Sequence, residues 1–258
     1  MKKLLFSSLL ISVLVLSCSY QGPDYSGLLT GTWINTQADS VDVPTDAAFV
    51  MDYRADGVQL YAAGSALDAK NKTWTEQDFY RYRLRGNTIT VTGNDVSGDY
   101  HMEFEILGLD QTTLTYSVKE FKTGKVEHPD TLIYTCKKAG ANIKDQLAGI
   151  WYGHSITPNT SDSAIHYLDY RADGSFSYYY QNQEGKWMKE PDQDSRYFIY
   201  GNFLVNVYKP VLPDGSFLTY DCWNIEFNGN KMISRNLAKD GSIQAFEWEK
   251  TDQLPEVN

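Results

Sequence analysis

Tyr53-Arg54-Ala55-Asp56-Gly57 returns later in the chain as Tyr170-Arg171-Ala172-Asp173-Gly174, and this identity decides how the rest is read. Asp-Gly at the end of an alternating run predicts a hairpin, because glycine enters the φ > 0 region that closes the turn without steric cost. Two copies of one pentapeptide predict an internal duplication. Other landmarks come back in the same order and at nearly the same spacing. Leu29-Thr30-Gly31-Thr32-Trp33 is matched by Leu147-Ala148-Gly149-Ile150-Trp151, Trp74 by Trp187, and Tyr82-Arg83-Leu84-Arg85-Gly86-Asn87 by Tyr197-Phe198-Ile199-Tyr200-Gly201-Asn202.

Outward from the pentapeptide the period is two. Phe49, Met51 and Tyr53 alternate with Val50, Asp52 and Arg54, and Tyr80, Tyr82 and Leu84 alternate with Arg81, Arg83 and Arg85. Such alternation predicts half-buried strands, and no stretch outside the leader has a helical period. The expected fold is all-β: two tandem small antiparallel up-and-down barrels of about eight strands each, an arrangement that leaves no free sheet edge. The boundaries are residues 27–138 and 145–252, with Ala139-Gly140-Ala141-Asn142 opening a linker over 139–144. Leu28 and Leu29 are expected to plug the end of the first barrel. Phe203, Val205 and Val207 occupy the register opposite to Ile89 and Val91, which predicts a bulge or loop adjustment in the second copy.

Lys2 and Lys3, an apolar run from Leu4 to Leu16, and Ser17-Cys18 predict a secretory signal over residues 1–17. The run is shorter than the roughly 20 residues that span a bilayer as a helix. Val15-Leu16-Ser17-Cys18 resembles a bacterial lipobox, which implies cleavage before Cys18, acylation of that residue and a lipidated tether over 18–26. The membrane is thus a partner through Cys18, since several acyl chains on one residue anchor stably where one is marginal. The implied location is the bacterial cell envelope, at the outer membrane on its periplasmic face or at the cell surface. No acidic cluster follows Cys18, which favours the periplasmic side.

The formal charge is −10 and becomes −12 when two lysines leave with the leader. Nucleic acid is disfavoured as a partner, because binding it takes clustered Lys and Arg. Cys136 and Cys222 remain, at non-equivalent positions; buried free thiols are favoured over a disulfide.

Leu-x-Gly-x-Trp opening a strand, an aromatic-x-x-Asp-Gly hairpin, a Trp ahead of a Tyr-x-aliphatic-x-Gly-Asn hairpin and an aliphatic closing strand together resemble the lipocalin-like domains common in lipoproteins of the Bacteroidetes. The resemblance covers both copies. It implies small barrels, often without a known ligand and sometimes holding apolar molecules. In classical lipocalins an Arg of the closing strand stacks on the Trp; Lys138 and Lys250 stand near that place here, so the cap is altered.

If Tyr53 and Tyr170 point inward, the first lumen is lined by Phe49, Met51, Tyr53, Gln59 and Tyr61, and the second by His166, Leu168, Tyr170, Phe176, Tyr178 and Tyr180. An eight-stranded barrel is just wide enough to be filled by side chains or to hold one small ligand. Gln59 stands where the other copy has Phe176, and His166 where it has Phe49. Each is either a core group satisfied by backbone or a polar group orienting a ligand in an apolar pocket. The candidate ligand-binding residues are therefore Phe49, Tyr53, Gln59, Tyr61, His166, Tyr170, Phe176, Tyr178 and Tyr180.

No nucleophile motif, phosphate loop or metal-ligand spacing is present. Asp192-Gln193-Asp194 lacks the Gly and terminal Glu of a calcium loop, and His101, His128, His154 and His166 are scattered. Neither an enzyme nor a cofactor or metal is expected. The leading expectation is a lipoprotein holding a small apolar or amphipathic ligand. The rival is a scaffold with filled barrels that meets a protein or glycan through outward residues such as Tyr179, Tyr200 and the Arg81/Arg83/Arg85 row.

Overall fold

The computed structural model describes residues 25–95, 98–127, 132–157, 164–191, 195–212 and 215–257. The leader, Cys18, His128 and Asp192-Gln193-Asp194 lie outside the described residues. The first copy begins with a one-turn helix, α1 (Ser26–Leu29). It continues through β1 (Gly31–Ala38), β2 (Val41–Asp42), a 3-10 turn (Thr45–Ala47), β3 (Phe49–Tyr53), β4 (Val58–Ala66), β5 (Lys72–Arg85), β6 (Thr88–Asp95), β7 (Gly98–Leu109), β8 (Thr113–Thr123), β9 (Val126–Glu127) and β10 (Ile133–Lys138). All pairings are antiparallel, and β10 pairs with both β8 and β1, so the long strands close into an eight-stranded barrel.

The second copy opens with α2 (Lys144–Leu147) and runs through β11 (Gly149–Ser155), β12 (Ile165–Tyr170), β13 (Phe176–Gln181), β14 (Trp187–Lys189), β15 (Arg196–Tyr200) and β16 (Phe203–Tyr208). A separate small hairpin, β17 (Val211–Leu212) and β18 (Gly215–Ser216), precedes β19 (Thr219–Asn228), β20 (Lys231–Leu237) and β21 (Ile243–Thr251). Its nine-stranded sheet runs β14-β13-β12-β11-β21-β20-β19-β16-β15 and is a half-barrel.

The difference lies in one strand. β5 is continuous and pairs with β4 on one side and β6 on the other. Its counterpart is split: β14 pairs with β13, β15 pairs with β16, and Pro191 falls between them. Proline has no N–H to give to a ladder, so the strand cannot run through. The seam is held at one end, where Ser175 bridges Arg196 and the Tyr197 N–H donates to the Gly174 carbonyl (2.7 Å). Beyond that point the two edges part.

The repeated motifs do the same work in each copy. Gly57 and Gly174 take φ +80° and +88°, and their N–H groups donate to the carbonyls of Arg54 (3.1 Å) and Arg171 (3.0 Å). The hydroxyls of Tyr82 and Tyr197 reach across to donate to those same carbonyls, at 2.8 and 2.6 Å. Their rings stand edge-on to Tyr53 and Tyr170, with centroids 5.0 and 5.1 Å apart. Tyr82→Phe and Tyr197→Phe should each lower stability by about 1 kcal/mol, the usual net worth of such a bond, as read by denaturant unfolding.

α1 and α2 plug the barrel ends through Leu29 and Leu147, both fully buried. The indoles of Trp33 and Trp151 donate to the carbonyls of these two leucines at 2.7 Å. Lys138 and Lys250 place their ammonium groups 5.0 and 5.2 Å from the two indole rings, a cation–π contact on each tryptophan. Gly31 and Gly149 leave room for the lysine stems: a Cβ there would stand 2.9 and 2.8 Å from lysine Cε, on backbone at φ +124° and +127°. The Gly-x-Trp spacing is thus the seat of the cap.

A third apolar cluster joins the copies. Ile34, Val50, Leu60, Ala62 and Trp74 on the outside of the first barrel pack against Phe203, Val205, Val207 and Cys222 on the outside of the second. This corrects the expected bulge. β16 pairs with β15 and β19 without any register shift, and the Gly86-Asn87 and Gly201-Asn202 hairpins align Leu204 with Ile89 and Asn206 with Val91. Parity is kept, and Phe203, Val205 and Val207 are outer-face residues made apolar by the junction. The 3-10 turn adds polar contacts: Asp46 Oδ1 accepts from the Cys222 N–H (2.7 Å) and from Asn236 Nδ2 (2.9 Å), and Thr45 Oγ1 accepts from the Leu237 N–H (2.8 Å). Cys136 lies in the first barrel's core and Cys222 at the junction, both buried free thiols.

Candidate functional site

The two interiors differ in kind. In the first barrel, Phe49 packs against Tyr61 and Tyr134, with centroids 5.7 and 5.8 Å away, and Tyr53 is fully enclosed. The Tyr53 hydroxyl is hydrogen-bonded by Gln59 and lies 3.5 Å from Met51 Sδ. Burial, with Asp78 adding to it, pushes the Tyr61 phenol up to about 12. Gln59 is therefore a satisfied core amide, and these four candidates form a packed wall.

The second barrel holds a partly open cavity of about 210 Å³. One wall is His166, Leu168, Tyr170, Phe176 and Tyr178 on β12 and β13; the other is Trp223, Ile225, Met232, Phe246 and Trp248 on β19 to β21. Glu190, Pro191 and Lys209 line it as well, so the cavity lies against the break in the counterpart of β5. His166 Nδ1 is 2.7 Å from the Tyr178 hydroxyl, and the two rings stack. Tyr180, expected in the lining, stacks on Tyr178 and is not part of the wall.

Of the two carboxyl residues in the lining, Glu190 and Asp221, the second is held within the aromatic wall. Asp221 receives the Trp223 indole N–H at 2.8 Å and hydrogen bonds from Asn206 and Tyr208. Asn206 Oδ1 in turn accepts from the Tyr170 hydroxyl at 3.3 Å. Burial pushes the Asp221 carboxyl up to about 7, with the charge of Asp46 adding to the rise and the Trp223, Asn206 and Tyr208 hydrogen bonds opposing it.

Comparison with protein families and with curated proteins returned no match. Among solved structures, the chain is similar to a double mutant of the vaccine antigen transferrin binding protein B from Haemophilus parasuis Hp5, at 10% identity and a TM-score of 0.23. That match covers 81% of this chain and 54% of that one, so the chain spans about half the length of that protein.

Sequence reasoning missed Asn206, Asp221 and Trp223, although parity places all three on the lumen face. Two residues expected to face a partner are engaged within the chain. The Tyr200 hydroxyl accepts the Trp74 indole N–H at 2.9 Å within the junction, and Tyr179 is 5% exposed beneath the Lys189 ammonium. Arg81, Arg83 and Arg85 are exposed, and with Thr90 and Thr92 they line an open groove on the first barrel.

Proposed function

We propose that this protein is a lipoprotein of the bacterial cell envelope, anchored through Cys18, whose second barrel binds one small, mostly apolar molecule. The first barrel packs against it through the shared apolar cluster, and the activity is binding rather than catalysis. The cavity beside the split strand carries this reading. It is smaller than the roughly 300–1,000 Å³ of drug-sized sites, and larger than the roughly 150 Å³ that accommodates benzene. A ligand of one ring with a short substituent fits that range. The aromatic lining supplies dispersion and burial for it.

Native mass spectrometry of the unlipidated protein tests this. Small aromatic compounds should add as a single equivalent, and Leu204→Trp, which fills the cavity from β16, should abolish the adduct while the protein remains folded. Equal uptake by the filled variant would remove the reading. The scaffold alternative rests on the exposed Arg81/Arg83/Arg85 groove, and predicts instead that an anionic glycan or protein partner is lost on Arg83→Glu.

A further inference from the structure

We infer that the ligand of the second barrel is a cation: a single aromatic ring bearing a protonated amine on a short chain, with Asp221 as its counter-ion. This rests on the proposed reading of the cavity as a ligand site and names the chemistry it selects.

The duplication supplies the control. Register pairs Asn206 with Asp221 in the second copy, and the same two positions in the first copy are Val91 and Met102. The fold accepts an apolar pair there, so packing does not require the carboxyl. In the first barrel the equivalent of Trp223 is Phe104, a buried core ring. The second copy has thus exchanged two core side chains for an amide and an acid at the point where its interior is open.

The surroundings favour positive charge. Glu190 shares the lining with Asp221, and Asp46 acts on Asp221 from the junction; the one lysine or arginine in the lining, Lys209, is exposed. A carboxylate offers about four lone-pair directions, and three donors from Trp223, Asn206 and Tyr208 fix its orientation while leaving a direction for a ligand N–H. Trp223 and Tyr208 hold the acid through their N–H and O–H edges, and the apolar and aromatic residues of the lining, Phe176, Phe246 and Trp248 among them, take the ligand's ring. The three donors around Asp221 are neutral, so an incoming ammonium adds the first opposite charge beside the carboxylate, which a neutral ligand of the same shape does not.

Isothermal titration with 2-phenylethylamine and with its neutral counterpart 2-phenylethanol separates the outcomes. The wild type should bind the amine about tenfold or more tightly than the alcohol, the gain of one charge-assisted hydrogen bond. Asp221→Asn should erase that preference, leaving the amine and the alcohol within about threefold of each other. Asp221→Met, which installs the first copy's residue, gives a second route to the same comparison should the amide variant fold poorly. Equal binding of the two compounds to the wild type, or an amine preference that survives both substitutions, overturns the cation inference and leaves the cavity a ligand site. Failure of both compounds to bind at millimolar concentration overturns this inference together with the reading beneath it.

Discussion

Val205→Asp should cost about 3–5 kcal/mol of unfolding free energy, the usual penalty for an uncompensated buried charge. Val205 is fully buried, although its side chain points away from its own barrel's lumen. It sits in the cluster formed with Val50, Leu60 and Trp74 of the other barrel, so the charge would be cut off from solvent. Val50→Asp, which enters the same cluster from the first copy, should cost a comparable amount. Thr90→Asp is the internal control. Register makes Thr90 the first-copy equivalent of Val205, but it lies on the open face beside Arg83, and a surface substitution of this kind costs within about 0.5 kcal/mol. Calorimetry should show one cooperative transition for the wild type and two separated transitions for either junction variant, because the shared cluster is what couples the barrels. A Val205→Asp protein that unfolds like the Thr90→Asp control would mean that the two barrels do not pack through these faces.

That junction marks where the sequence is readable and where it is not. The duplicated turn is local, and the Gly-x-Trp and Tyr landmarks, although their partners lie further along the chain, are exposed by their recurrence in both copies. Phe203-Leu204-Val205-Asn206-Val207 is different, because a strand buried on both faces loses its alternation. The apolar outer face then looks like a slip of register, although the ladder is unbroken. Asp46 shows the same limit from the polar side. It reads as a turn residue after Pro44, and its two acceptor bonds go to Cys222 and Asn236, far along the chain. Asp221 was legible: it shares parity with Trp223 and Ile225, and an acid in that row is the one charge on an apolar face. The split at Pro191 was legible as well, since a proline inside a strand pattern argues against a continuous ladder.

The charge on Asp221 should make the wild type lose stability as pH rises, and Asp221→Asn should remove most of that loss. The carboxyl is raised from 3.8 to about 7, first by burial, so the native state holds its proton where the unfolded chain has released it. The stabilisation from this group is therefore complete below about pH 4 and lost as pH climbs through about 7, the sign expected when the native state binds more protons. Other groups face the same space. Tyr170 and Tyr208 are pushed above their usual range by burial and stay neutral throughout; Tyr178, His166, Glu190 and Lys209 complete the titratable lining; and Asp46, itself raised by burial, acts from the junction in the same direction as Asp221. Exposed carboxyls held low by their hydrogen bonds, such as Asp110 and Asp173, oppose the trend as pH falls, but they are present in both proteins. The difference between wild type and variant isolates Asp221. Its melting temperatures should coincide near pH 4.5 and separate by roughly 3 °C or more at pH 8, with the variant higher, since each kcal/mol moves a protein of this size by about 2–4 °C. Parallel curves across that range would show that Asp221 is hydrated and ordinary. Saturating 2-phenylethylamine should flatten the wild-type curve as well, because an ammonium group beside the carboxylate replaces the proton the native state otherwise retains.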